Sequence, residues 1–144
     1  MKQFILSFSL LLLCVGVACA SPDRVITREQ LPATAQQFLQ EYFPKAEVTA
    51  AHEDGHIVQR EYDVMLDDGT HIQFAADGRW LDVESRGALP RGIVPPSIVT
   101  YTAKHYPSLT ITRIERSRRE WEVGLSNGVE IKFNRRFSVI SIDD

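Results

Sequence analysis

The stretches YDVMLDDGTHIQF (62–74) and WEVGLSNGVEIKF (121–133) decide the fold of this chain. They align without a gap at an offset of 59 residues, and apolar side chains keep the same alternate positions in both. A period of two is typical of a strand with one buried face and one wet face. The Asp-Gly or Asn-Gly pair inside each stretch indicates a tight turn, so each stretch is predicted to be an antiparallel hairpin.

The similarity continues upstream, where the offset is 63 residues. There LP (31–32) matches VP (94–95), and FP (43–44) matches YP (106–107). Between the prolines of the first copy, apolar residues recur at the i, i+3, i+4 and i+7 spacing of a helix that buries one stripe. These residues are Ala35, Phe38, Leu39 and Tyr42, and Ile98, Tyr101 and His105 form the corresponding stripe of the second copy.

The two copies together predict an α+β fold. Each copy is one helix followed by about four short strands, and neither is long enough to bury a good core alone. We therefore expect two tandem units that share one antiparallel sheet of about eight strands, with both helices packed on one face. The predicted boundaries are an N-terminal segment (21–30), a first repeat (31–85), a linker (86–93) and a second repeat (94–144). Type I′ two-residue turns are predicted at 54–55, 68–69, 77–78 and 127–128.

The first 20 residues have the layout of a secretory signal peptide. Lys2 gives a positive start, residues 4–17 are almost wholly apolar, and small residues precede a cleavage point after Ala20. The alternative is lipidation at Cys19. Both cysteines, Cys14 and Cys19, lie in this segment, so cleavage after Ala20 leaves a chain without thiols. The predicted location is periplasmic or secreted, and no later stretch is long and apolar enough to span a bilayer.

Catalytic motifs are missing from the sequence. It has no nucleophile elbow, Walker loop, dinucleotide fingerprint or HExxH helix, so we predict a protein that is not an enzyme and needs no cofactor. A metal-binding alternative depends on the acidic turn between His52 and His56. Because a tight turn directs both imidazoles to solvent, no metal site is predicted there, and the two histidines stay only as its candidates.

The second copy carries a set of basic residues that is the candidate interaction surface. Its members are Arg113, Arg116, Arg118, Arg119, Lys132, Arg135 and Arg136. Nucleic acid is not expected as the partner, because the chain is exported and its formal net charge is −3. An acidic periplasmic or cell-surface protein fits better, although a charged outer sheet face would give the same pattern. The expected state is a monomer or weak dimer, since the C-terminal edge strand could pair with a second copy.

The combined frame resembles the PepSY-like family of secreted proteins found in gut Bacteroidetes. The resemblance depends on Leu-Pro, then an aromatic-rich helix ending in Tyr-Phe-Pro or His-Tyr-Pro, and then Tyr-x-Val-x-Leu-x-x-Gly-x-x-Ile-x-Phe. It implies a fold like that of the beta-lactamase inhibitory protein and a role in binding or restraining a protein such as a peptidase. It carries no catalytic residue, and lactamase inhibition in particular does not transfer. A small-ligand or metal-binding envelope protein is the alternative.

Overall fold

A computed structural model describes residues 23–55 and 59–144 of the chain. The predicted signal peptide and His56 lie outside these residues. The helices are α1 (Ala33–Tyr42) and α2 (Pro96–His105), and a short 3-10 helix covers Arg28–Gln30. The strands are β1 (Arg24–Val25), β2 (Val48–Asp54), β3 (Glu61–Leu66), β4 (His71–Ala75), β5 (Trp80–Glu84), β6 (Ile111–Arg116), β7 (Glu120–Leu125), β8 (Glu130–Asn134) and β9 (Val139–Asp143).

All nine strands form one open antiparallel sheet, and their order in the sheet is their order in the sequence. The predicted α+β class, with two helix-plus-four-strand units in one sheet, is confirmed. The additional strand is β1, which lies before both repeats and pairs through Val25 with His52 of β2. Two residues are too few to show strand periodicity, so this element gave no signal in the sequence.

A row of directly paired side chains forms the centre of the core. It runs across six strands from β3 to β8, and every member is 0 % exposed. The row crosses the boundary between the repeats without a break, because Val83 of β5 pairs with Ile114 of β6. Its members are Val64, Ile72, Val83, Ile114, Val123 and Ile131. Burial of these side chains is the main term that stabilises the sheet.

Both helices cover this face of the sheet through matching aromatic contacts. Phe38 of α1 packs edge-to-face on Phe74, with ring centroids 5.7 Å apart. The corresponding pair in the second copy, Tyr101 of α2 and Phe133, has the same geometry at 5.4 Å. Within the described residues, neither helix has the length and apolar character needed to cross a bilayer.

The predicted type I′ turns are wrong. The hairpins at Gly69, Gly78 and Gly128 are three-residue loops, in which only the glycine has a positive φ. In the first of them, the amide of Gly69 donates to the Leu66 carbonyl and that of Leu66 donates to Thr70, which is a turn followed by a one-residue bulge. At Gly55 there is no two-residue turn, because Asp54 pairs with Glu61 and leaves a longer loop.

Candidate binding site

The predicted basic set divides between the two faces of the sheet. Arg113 and Lys132 lie on the outer face, away from the helices, and both are held by carboxylates. The Arg113 guanidinium is 2.6 Å from Asp82 and 2.9 Å from Glu115, and Lys132 is 3.4 Å from Glu122. The hydrogen bond to Asp82 and the neighbouring negative charges raise the pKa of Arg113 above its usual value. These two cations are therefore engaged within the sheet itself.

The other five members gather at one end of the sheet, on or beside two adjacent turns. Arg116, Arg118 and Arg119 lie at the β6–β7 turn, and Arg135 and Arg136 lie at the β8–β9 turn. Among the residues that the structure describes, none of the five forms an ion pair. This end of the molecule consequently carries positive charge that the described part of the chain does not neutralise.

A cleft of about 490 Å³ opens at this end and spans both repeats. We call it the arginine cleft. Its charged and aromatic lining consists of Arg79, Trp80, Arg116, Arg118, Trp121, Arg135 and Glu61. Glu61 is the one carboxylate among the described lining residues, and its side chain accepts a 2.8 Å hydrogen bond from Gln73. The cleft is thus basic, with aromatic rings behind the charges.

Arg116 lies at the centre of this arrangement. Its guanidinium carbon is 4.1 Å from the centroid of the Trp80 ring, and its Nε donates a 2.7 Å hydrogen bond to the Trp80 carbonyl. Partial burial lowers the pKa of Arg116, the like charge of Arg79 lowers it further, and Asp77 partly opposes both effects. A carboxylate that entered the cleft would supply the counter-charge that this guanidinium lacks.

Two local contacts hold the turns that carry the remaining cations. The Ser117 hydroxyl accepts hydrogen bonds from the amides of Arg119, at 3.2 Å, and Glu120, at 3.1 Å. The Arg135 guanidinium donates to the Arg118 carbonyl at 2.9 Å, which ties the β8–β9 turn to the β6–β7 turn. Since the acceptors in these contacts are a hydroxyl and a carbonyl, which carry no formal charge, the contacts leave the charges of Arg118 and Arg135 without a counter-charge.

Phe137 occupies an unusual position beside the cleft. Its φ is 62°, and it is the one non-glycine residue with positive φ among the described residues. At the offset of 59 it takes the place of Gly78, so the β8–β9 hairpin has an aromatic side chain where the hairpins at Gly69, Gly78 and Gly128 have glycine. Its ring centroid is 6.0 Å from that of Trp121, which itself is 6.1 Å from Trp80. The positive φ therefore places the Phe137 ring against Trp121, next to the cleft but not in its lining.

Only one of the two metal candidates lies in the described part of the chain. His52 is near the end of β2, where it pairs across the strands with Asp63, and His56 lies outside the described residues. The Asp63 carboxylate is 3.1 Å from Nε2 of His71, a side chain on the neighbouring strand β4. In the described part of the chain, no group of three or more His, Cys, Asp or Glu side chains could hold a metal ion.

Three residues of the site were missed in the sequence. Trp80 is a core residue by its burial, and the spacing of apolar residues does not reveal its contact with Arg116. Arg79 lies in the first repeat, outside the basic set. The signal for Phe137 was present, because a residue aligned with the glycine of a hairpin must share its backbone conformation.

A second groove lies between the linker and α2. It measures about 280 Å³ and is lined mainly by apolar side chains, among them Leu89, Val99 and Ile111. Its lining comes from the linker and the second repeat alone. Its charged lining is limited to Arg91, so it offers few groups to orient a polar ligand.

Comparison with known proteins places these features in a family. Residues 60–141 match a family model described as "Putative beta-lactamase-inhibitor-like, PepSY-like". No curated protein matches the chain. Three solved structures are similar over nearly their whole length. One is a "putative periplasmic protein" of the DUF2874 family from Bacteroides vulgatus, with 39 % identity, a TM-score of 0.83, and coverage of 87 % of this chain and 99 % of that one.

The second is a "putative calcium-regulated periplasmic protein" of Bacteroides thetaiotaomicron, with 32 % identity and a TM-score of 0.81, covering 85 % of this chain and 97 % of that one. The third is a "putative periplasmic protein of unknown function" from Bacteroides vulgatus, with 26 % identity and a TM-score of 0.81, covering 85 % of this chain and 100 % of that one. These descriptions agree with the predicted periplasmic or secreted location.

Proposed function

This chain belongs to the PepSY-like family, and from that premise we propose that it is an exported, non-catalytic binding module that docks an acidic envelope protein through the arginine cleft. The observation that supports this most directly is the state of Arg116. A half-buried guanidinium has been stacked on Trp80 and placed beside Arg79 without a carboxylate partner among the described residues. Such an arrangement weakens the free protein slightly and favours binding of an anion.

The choice of a protein rather than a polysaccharide as partner follows from the aromatic rings. Carbohydrate surfaces usually need an aromatic face open to the sugar. Trp80 is only 9 % exposed, and the Arg116 guanidinium covers one face of its ring. The Trp80 ring therefore supports the cation, and we expect the cation to face the ligand. Aromatic residues and arginine at the centre of a patch are also the usual anchors of protein interfaces.

The lack of catalysis is part of the same proposal. The polar lining of the cleft consists of arginines, Ser117 and one carboxylate. The Ser117 hydroxyl accepts hydrogen bonds from its own turn and the carboxylate accepts one from Gln73, so these contacts pair no nucleophile with a base. A module of this kind could restrain its partner by occupying an acidic surface. The partner class that the family resemblance suggests is a peptidase.

The test is capture of a partner from envelope extract by three forms of the protein that lack residues 1–20. The cleft variant is Arg118→Ser/Arg135→Ser. Its control, Arg86→Ser/Arg91→Ser, removes the same charge from the exposed linker. We expect one stoichiometric partner with the unaltered protein and the control, loss of that partner with the cleft variant, and weaker capture as salt rises. Equal capture by both variants, or no partner at any salt concentration, would contradict the proposal. Each capture is run with and without calcium, because one relative is described as calcium-regulated.

The alternative of a small-ligand or metal-binding envelope protein has less support. The cleft is large enough for a free organic acid. Calorimetry with small dicarboxylic acids, zinc, copper and haem separates the two functions. Heat from a free acid that the cleft variant abolishes, together with no protein partner, would favour the alternative.

A further inference from the structure

The last strand of the sheet, β9, leaves apolar side chains exposed at the edge of the core. The row of paired side chains described above continues from Ile131 to Ile142 of β9. Whereas Ile131 is 0 % exposed, Ile142 is 46 % exposed. Two further apolar residues of the same short strand, Val139 and Ile140, are 37 % and 51 % exposed. A cluster of exposed apolar side chains on a strand with one unpaired edge is a site for pairing with another strand.

The internal repeat shows what such a strand does when it has a neighbour. At the offset of 59, β9 corresponds to β5, and Ile142 corresponds to Val83. Strand β5 pairs antiparallel with β6 along its outer edge, and Val83 is fully buried by that pairing. The same edge of β9 has no neighbour in the described part of the chain. β9 therefore carries the sequence pattern of an inner strand at the margin of the sheet.

The opposite margin is covered. Strand β1 pairs with β2 there, and the amide of Ile26 donates to the Ala51 carbonyl at 2.9 Å. As a result Ala51 is 1 % exposed and Ile26 is 7 % exposed. This cover leaves β2 unable to receive β9 of another copy along its full length. The outer edge of β1 is open as well, but β1 has only two residues, so the longer open edge of a second molecule is its own β9.

We propose that β9 pairs with β9 of a second copy of this chain, antiparallel and centred near Ser141, to join two sheets into one. In that register Ile140 of each copy lies opposite Ile142 of the other, so the exposed apolar residues cover one another. Ile140 is the extra residue of a bulge against β8, because Ser141 pairs with Lys132 and Val139 with Phe133. The charges also match. Each β9 begins after the basic pair Arg135 and Arg136, ends at Asp143 and is followed by Asp144, so antiparallel pairing brings each acidic end toward the partner's basic end.

The first test is sedimentation velocity of protein lacking residues 1–20, from about 5 μM to about 500 μM. The described core and sheet lie entirely within the retained residues. We expect the mean mass to rise toward that of a dimer with concentration, and to fall at high salt. Ile142→Lys should stay monomeric, while Val25→Lys, which places the same charge on an exposed apolar residue of the other edge, should behave as the unaltered protein.

A second test does not depend on the stability of the lysine variant. Because the chain without residues 1–20 has no cysteine, Ser141→Cys introduces a single thiol. Opposed Cα atoms in an antiparallel pair are about 5.5 Å apart or less, which suits a disulfide. Mild oxidation should give a covalent dimer with Ser141→Cys and little with Ser126→Cys, on an exposed turn. A protein that stays monomeric throughout, a Val25→Lys variant that dissociates equally, or equal cross-linking of both cysteines would overturn the proposal.

Discussion

Two arginines of the same strand allow a test of whether Arg116 serves binding or the stability of the fold. Arg113 and Arg116 are three residues apart in β6, so they project from opposite faces of the sheet. Replacement of each by methionine removes the charge but keeps an unbranched stem. Arg113→Met leaves Asp82 and Glu115 without their cation, whereas Arg116→Met leaves no described carboxylate unpaired.

The expected magnitudes differ accordingly. Hydrogen bonds to charged groups contribute about 1.5–3 kcal/mol each when buried, and exposed pairs less than about 1 kcal/mol. The Arg113 side chain is 29 % exposed and bonds Asp82 at 2.6 Å, so we expect Arg113→Met to lower the free energy of unfolding by about 2 kcal/mol. For a chain of this size that lowers Tm by about 8 °C.

Arg116→Met loses a 2.7 Å bond to a carbonyl and the contact with Trp80, each worth about 1 kcal/mol. The substitution also removes a partly buried charge that has no carboxylate partner among the described residues, which is favourable. This gain largely offsets the lost contacts, so the free energy of unfolding should change by no more than about 1 kcal/mol. Urea unfolding at neutral pH, followed by circular dichroism because fluorescence would report Trp80 directly, measures both variants. If Arg116→Met proved as destabilising as Arg113→Met, Arg116 would be a structural residue and the cleft would lose its main support.

Three further predictions concern stability. Gly128→Ala should lower the free energy of unfolding by about 1 kcal/mol, because alanine is strained at a φ of 94°. Gly78→Ala should lower it by about 2–4 kcal/mol, because the new Cβ would also lie 2.8 Å from the Ala35 amide nitrogen. Equal unfolding midpoints of the two variants would refute this. Thr70→Val should stabilise the protein by about 1 kcal/mol in a thermal melt, because the buried Thr70 hydroxyl has no hydrogen-bond partner among the described residues. Asp77→Asn should be less stable than the unaltered protein at neutral pH. The hydrogen bond from the Arg79 amide lowers the pKa of Asp77 in the folded protein, so the charged carboxylate stabilises the fold above its unfolded-state pKa. This contribution is lost as pH falls through the folded-state pKa. A difference in stability between the two proteins that persists in acid would contradict the prediction.

Periodicity predicted the fold well because the same pattern occurs twice. The positions of the helices, the antiparallel sheet and its buried face all followed from apolar spacing and prolines. The turn types did not. A dipeptide such as Asp68-Gly69 fits both a two-residue turn and a three-residue loop with a bulge, and the choice depends on strand register, which forms only when the sheet assembles.

The sequence named most of the cations of the candidate site but not their arrangement. Arg113 and Arg116 were predicted to share one surface, although an odd separation on a strand puts them on different faces. Which of them is paired could not be read from the chain, because Asp82, 31 residues away, supplies the closest partner of Arg113. Trp80 reaches Arg116 across the β5–β6 boundary in the same way. The arrangement of the site depends on contacts between the two repeats, and the spacing of residues within one repeat does not predict such contacts.

The strand order has a consequence for how the protein acquires its structure after export. Each strand from β2 onward pairs with the strand that precedes it in the chain, so no strand must wait for a segment that follows much later. A polypeptide that leaves a translocation channel amino end first could therefore add one strand at a time to a growing sheet. During that process the outer edge of β5 stays open until α2 has emerged and β6 arrives, which makes the first repeat the stage at which the nascent protein most needs protection from other chains.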